Sequence, residues 1–437
     1  MVRSAIRENG HPITRRTFIN SAAAASGAIL TGLPISATAE DTSEDTAKNY
    51  AMDKRYWRKI ARQYDIADDF VNLENGNWGL MARPVMEKYL QYTQMVNAYN
   101  SHYARRQYKD DFIAVREKLA EKLGVSPEEV AITRGATEAL QALVGGYKNL
   151  QRGDAVMYAD LDYGSVQASF DWLANKRSAE VVRLSIPEPT TFDGLIEFYE
   201  AALQANPKVK LLLLTHISNR TGLVAPVREI AERARARGVD VIVDAAHSWG
   251  QMDFTVDDLG VDFIGFNLHK WIGAPVGVGV LVIRKERLGD IATNLSSNTW
   301  EQDKISGRIH TGTANFAAVL AIKDALEFCD QVGWDRKEAR LRMLRNVWAP
   351  EARRINGVEV LAPDDPRLHA GITSFRLTGK TSVEENKAIV ETLLKDHGIF
   401  TVHRTGVAKG GCIRVTPALY NTPSDCERFL SALKTIA

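Results

Sequence analysis

Through the middle of this chain, apolar residues come in short runs separated by charged stretches of helical period. The runs at 130–134, 155–159, 181–184, 210–214, 239–243, 261–266 and 277–283 are too short for helices and are rich in Val, Ile, Leu and Ala. Such runs suit strands buried on both faces, as in a parallel sheet. Segments such as 136–148 and 226–237 carry apolar residues on one helical face and charges on the other. Strand–helix alternation from 130 to 283 predicts a mostly parallel sheet covered by helices on both faces.

Either side of this unit the pattern changes. Residues 53–64 read as an amphipathic helix, and 84–123 as helix in two pieces. A short strand near 70–73 runs into the turn Asn75-Gly76-Asn77-Trp78-Gly79. Beyond 283 a less regular region leads to a helix at 316–331. Long charged helices follow at 335–354 and 383–397, with short strands at 372–377 and 413–416, as in a small α+β domain.

Open parallel sheets bind ligands at the carboxyl ends of their strands. The run 239–243 delivers Asp244 and His247 there, and 261–266 delivers Asn267, His269 and Lys270. A lysine amine and a carboxylate on neighbouring strand ends suit pyridoxal 5′-phosphate (PLP). The amine forms a Schiff base with the cofactor aldehyde, and the acid keeps the pyridine nitrogen protonated. Gly135-Ala136-Thr137 opens a helix after a strand, where free N–H groups and the positive dipole end suit a phosphate.

These segments together resemble the class V aminotransferase family of fold type I PLP enzymes (the cysteine desulfurase superfamily), most closely its isopenicillin N epimerase-like members. The resemblance rests on Asp244-Ala245-Ala246-His247, His269-Lys270, Gly135-Ala136-Thr137, Ser218-Asn219-Arg220-Thr221-Gly222, Gly312-Thr313 and Arg414-Val415-Thr416 with Tyr420-Asn421-Thr422. It implies a seven-stranded large-domain sheet and catalytic roles for Lys270 and Asp244. Gly135, Ala136 and Thr137 become the phosphate cup, Tyr163 the residue stacked on the pyridine face, and Asn219 the neighbour of the 3′-oxygen. His247 is expected to bond Asp244 or that oxygen. His269 supports phosphate or lysine, and Asn267 stands where the family commonly has serine. Thr313 reaches the partner subunit's phosphate, so the resemblance implies a homodimer. Arg414 binds the substrate α-carboxylate, with Asn77 and Arg404 beside it. The implied map is an N-terminal segment of the small domain at 53–85, a PLP-binding large domain at 86–315 and a C-terminal small domain at 316–437.

Other stretches support plainer readings. His102, Arg105 and Arg106 with three nearby tyrosines are expected to form a solvated helix face or an interface. The desulfurase alternative needs a loop thiol, and Arg404 to Gly411 contains none. A C–S lyase needs only a leaving group at Cβ. A reading from another class, a non-catalytic scaffold, predicts loss of the lysine, acid, phosphate or arginine positions, and all four are present.

Composition narrows the function classes. With 437 residues and a net charge of +1, the chain lacks the basic excess of a nucleic-acid binder. Its three cysteines, Cys329, Cys412 and Cys426, have no metal-ligand spacing. Residues 1–39 resemble a twin-arginine export signal: Arg15-Arg16, a mildly apolar run too short to span a bilayer, then Ala37-Thr38-Ala39. Residues 40–52 read as a linker. Cleavage would leave a slightly acidic periplasmic protein with no stable membrane anchor. The expected substrate is a small-molecule or peptide amine, plausibly the amino-acid end of a larger secreted molecule. Within the family, the tailoring of the glutamyl end of the siderophore pyoverdine is a precedent.

Overall fold

The structure, a computed structural model, describes residues 50–297 and 301–437. The expected export signal and most of the expected linker lie outside the described residues.

A seven-stranded sheet carries the central unit. Its strands are β2 (Val130–Thr133), β3 (Ala155–Ala159), β4 (Glu180–Leu184), β5 (Val209–Thr215), β6 (Asp240–Asp244), β7 (Phe263–Asn267) and β8 (Gly279–Ile283), β1 (Val71–Asn72) lying elsewhere. The spatial order is β2-β8-β7-β6-β5-β3-β4. Every pairing is parallel except those of β8, which runs antiparallel between β2 and β7. Leu212 and Leu214 of β5 join the core on one face, and Leu211 and Leu213 that on the other. Burial on both faces is why these strands read as unbroken apolar runs.

Glycines set how closely the layers meet. A Cβ at Gly265 would lie 2.8 Å from Leu140 Cγ, so β7 admits the helix Ala136–Gly146 at short range. A Cβ at Gly279 would lie 2.5 Å from the Gly135 Cα. Bare backbone at both points brings the start of that helix against the ends of β7 and β8.

The C-terminal part holds a four-stranded antiparallel sheet in the order β12-β13-β10-β9. These are β9 (Val358–Val360), β10 (Thr373–Leu377), β12 (Val402–Arg404) and β13 (Cys412–Val415). A separate core containing Leu344, Trp348, Phe375 and Phe429 backs it. The N-terminal segment joins this part: β1 pairs in parallel with β11 (Ile399–Phe400), and Glu74 bridges to Thr416. The helix Phe316–Val332, placed in the small domain by the sequence map, buries Ala318, Ile322 and Leu326 in the core of the large sheet.

The paired helices expected over 84–123 are Arg83–Arg106 and Tyr108–Leu123, the first broken at Asn100 with φ +47°. The three cysteines are free and buried. Among the described residues no helix is long and apolar enough to cross a membrane, and no cluster of His, Cys, Asp and Glu could hold a metal ion.

Candidate active site

Strand ends β3, β5, β6 and β7 open on one cavity of about 520 Å³, a volume suited to a cofactor with its substrate. Lys270, Asp244, Gly135, Ala136, Thr137, Tyr163, Asn219, His247, Asn267, His269, Asn77, Arg404 and Arg414 all line it. Parallel strands deliver their carboxyl ends to one edge, so residues distant in sequence converge.

Lys270 is held by its neighbours rather than left loose. Its Nζ lies 2.9 Å from His247 Nε2. Trp271 Nε1 donates to His247 Nδ1 at 3.4 Å. An indole nitrogen only donates, so Nδ1 accepts and the ring proton sits on Nε2. That N–H points at Lys270 Nζ, which can accept it only as a neutral amine. Burial, reinforced by Arg414 and Arg404 and opposed by Asp244, brings the Lys270 pKa down to about 7. Burial likewise holds His247 well below the usual histidine range. Of the two partners expected for His247, Asp244 and the 3′-oxygen, the first is not its hydrogen-bond partner here: its ring meets Lys270 and Trp271.

Asp244 Oδ1 accepts the Ala246 N–H at 2.9 Å, which fixes the carboxylate at the strand end. Burial raises its pKa, and the Ala246 N–H and Lys270 pull it back. A cation beside it would complete the pair, as a protonated pyridine nitrogen does.

At the helix Ala136–Gly146 no side chain caps the N-terminus from Gly135. First-turn N–H groups have no partner within their own helix. Ala136 gives its N–H to Asn267 Oδ1 at 2.8 Å, so Asn267 braces the turn where the family commonly has serine. His269 Nδ1 lies 3.2 Å from the Val278 carbonyl and donates to it when neutral. Asn219 Oδ1 is buried without a hydrogen-bond partner, a polar atom in the cavity wall that a ligand would satisfy. Together, the amine, the carboxylate, the uncapped helix start and this orphan oxygen fit PLP.

Other residues have settings outside the cavity. Thr313 is exposed in the turn before Phe316–Val332 and does not line the cavity. That helix is capped by Asn315, whose side chain accepts the Ala318 N–H, rather than by Thr313. Trp78 points outward, 54% exposed. His102, Arg105 and Arg106 are exposed on their helix. Asp160 and Asp162 are spent on backbone N–H groups: Ile186 and Ala408 for the first, Ala159 and Thr215 for the second.

The cavity also contains residues the sequence reading passed over. Arg134 and Glu138 pair at 2.6 Å on its rim, an i,i+4 spacing that marks a helix pair but not a site. Gly76 forms part of the wall. Glu74 reaches Arg414 Nη2 at 2.5 Å and Arg404 Nη2 at 3.5 Å, a pairing across more than 300 residues with no local signal.

The family model described as "Aminotransferase class-V" matches residues 80–429. The isopenicillin N epimerase of Amycolatopsis lactamdurans is 27% identical over 404 residues, covering 87% of this chain and 98% of that protein. Among solved structures, the Escherichia coli cysteine desulfurase CsdA superposes with a TM-score of 0.72 at 24% identity, over 87% of this chain and 98% of that one. A C-DES variant with glycine covalently linked to its PLP cofactor gives 0.73 at 21% identity, over 85% and 98%. With the family match running from the segment beside the cavity through its strands to the helix after Arg414, this chain belongs to the class-V aminotransferase family.

Proposed function

We propose that this PLP-dependent enzyme acts at the α-carbon of an amino acid or of the amino-acid end of a larger molecule. The observation that carries the reading is the Lys270 amine, 2.9 Å from His247, and the buried Asp244 carboxylate on one cavity. When bound, the cofactor supplies an electron sink for charge left at Cα. Lys270 Nζ, positioned in the cavity by its contact with His247, would take or return the α-proton once that hydrogen bond is released. Asp244 would hold a proton at the ring nitrogen, and the phosphate would sit at the turn from Gly135 to Thr137, where the Ala136 N–H is already given to Asn267 and the Thr137 N–H is the first left to donate. Asn219, on the same wall, would neighbour the ring oxygen.

The desulfurase alternative lacks support from the thiols, which a C–S lyase does not need. Cys412 is buried in β13, its Sγ 3.5 Å from the Arg220 carbonyl, and burial pushes its pKa up to about 11. A protonated, enclosed thiol is a poor sulfur acceptor. Transamination, epimerisation and decarboxylation all use the residues named above. Tyr163 lines the cavity, which favours it as a second acid–base group.

The proposal extends to place and assembly. The Arg15-Arg16 motif supports export of the folded enzyme to the periplasm, where an amine on a secreted peptide such as a siderophore is a fitting substrate. Thr313 would serve a partner's phosphate in a homodimer. Incubating the PLP-loaded mature protein with candidate amines, with mass spectrometry of the products, tests the reaction. Deuterium uptake without mass loss indicates epimerisation, and amino transfer or carbon dioxide loss the other routes. No turnover of any amino compound by a fully loaded enzyme would sink the reading. Finding the protein only in the cytoplasm with residues 1–39 retained would remove the export proposal.

A further inference from the structure

Arg414, the position matched to substrate carboxylate binding, already holds a carboxylate of its own chain. Its Nε donates to Glu74 Oε2 at 3.3 Å and its Nη2 to Glu74 Oε1 at 2.5 Å. The third nitrogen, Nη1, donates to the Asn219 carbonyl at 2.8 Å. Glu74 is engaged from its other side too: Thr416 Oγ1 donates to Oε2 at 3.2 Å, and Arg404 Nη2 lies 3.5 Å from Oε1. Side-chain exposure is 1% for Arg414 and 6% for Glu74.

The backbone around Glu74 is pinned. Its N–H donates to Asn72 Oδ1 at 2.9 Å. Thr416 N–H donates to the Leu73 carbonyl at 2.7 Å, and Asn75 Nδ2 to the Thr416 carbonyl at 2.8 Å. Gly76 then covers the guanidinium, for a Cβ there would lie 2.5 Å from Nη2 and 2.6 Å from Cζ. A substrate carboxylate brought to Arg414 must displace Glu74 from a buried pair or sit beside it. Either way the second negative charge meets Glu74 at close range on the Arg414 guanidinium, with the Arg404 cation left to balance it.

We infer that Glu74 determines specificity: it fills the carboxylate subsite at Arg414 and turns the enzyme toward an amine whose reacting carbon carries an uncharged amide or peptide carbonyl there. This inference rests on the PLP-site reading and narrows its substrate class. Arg404, whose Nε is buried without a partner at the cavity wall, stays available to an acidic group elsewhere on the substrate.

The test titrates holoenzyme and its Glu74→Gln variant with L-alanine and with L-alaninamide, following the visible absorbance of the bound cofactor. The ligands differ in amine basicity as well as charge, so the readout is the acid-to-amide ratio of dissociation constants compared between the two proteins. The ratio is expected to fall about tenfold or more in Glu74→Gln, one like-charge contact being removed. An unchanged or increased ratio overturns the inference. If the variant does not fold, acetate competition in the wild type decides. Acetate that leaves the alaninamide titration unmoved supports a filled subsite, and saturable competition overturns it. Wild type that shows no cofactor band overturns the cofactor reading together with the inference, whereas a normal band with an unchanged ratio overturns the inference alone.

Discussion

The amine of Lys270 lies 2.9 Å from His247 Nε2 on a cavity wall it shares with Asp244, and this sets its chemistry. With its pKa brought down to about 7 from the usual lysine value of 10.5, a large share of the amine is free at neutral pH. In the apoprotein, the rate of covalent PLP capture should therefore rise with pH through about 7 and level off above 8, because only the neutral amine attacks the aldehyde. An unperturbed lysine would keep gaining past pH 10. Stopped-flow absorbance over pH 6 to 10 checks this. Lys270→Ala should abolish borohydride-trappable cofactor and lower turnover by about three orders of magnitude or more, the group being both anchor and base. Asp244→Asn should keep the covalent link but lower kcat by about a hundredfold or more, since an amide cannot hold the ring nitrogen protonated. Equal activity in that variant would remove Asp244 from the mechanism.

At the scale of elements, the site depends on how tightly β8 and the helix Ala136–Gly146 close on β7. Gly279→Ala places a methyl 2.5 Å from Gly135 Cα and 2.6 Å from the Phe266 carbonyl, both backbone atoms that cannot step aside cheaply. Expected are a loss of about 1–3 kcal/mol in stability and weaker PLP binding, because the uncapped helix start is pushed away from the ring site. Denaturant melts with and without PLP separate the two effects. Gly79 is a similar point on the other wall: its N–H donates to the His269 carbonyl at 2.8 Å, and a Cβ there would meet the Lys270 carbonyl. Gly79→Ala should disturb Lys270 itself and show as a fall in kcat larger than any change in the melting curve.

For the whole molecule, acid should unfold the protein partly through His216. Its ring is buried against Phe254 with Nδ1 unpartnered, and burial lowers its pKa to about 4. A histidine lowered from about 6.5 contributes no pH dependence above 6.5, where folded and unfolded forms are both neutral. As pH falls toward 4 the unfolded chain gains protons that the fold refuses, so stability is lost over that window, by about 3 kcal/mol at most. His216→Gln should flatten the fall in the urea midpoint between pH 6.5 and 4.5. An identical slope in the variant would assign the acid sensitivity to other groups.

Strand positions were legible along the chain because burial on both faces leaves a run of apolar residues that local sequence alone reveals. For the same reason Asp244, Asn267 and Lys270 stood out: parallel strands that end together put the polar residues that follow them on a common edge. Convergence of Gly135, Tyr163, Asn219 and Arg414 on that edge was readable only through the family pattern, since nothing local ties their positions. The partners of these residues were not readable at all. That His247 faces Lys270 depends on the turn after β6, and that Glu74 occupies Arg414 depends on an N-terminal segment laid beside β13. Such pairings are set by the packing of distant segments, and a carboxylate carries no mark in the sequence of which arginine it will meet.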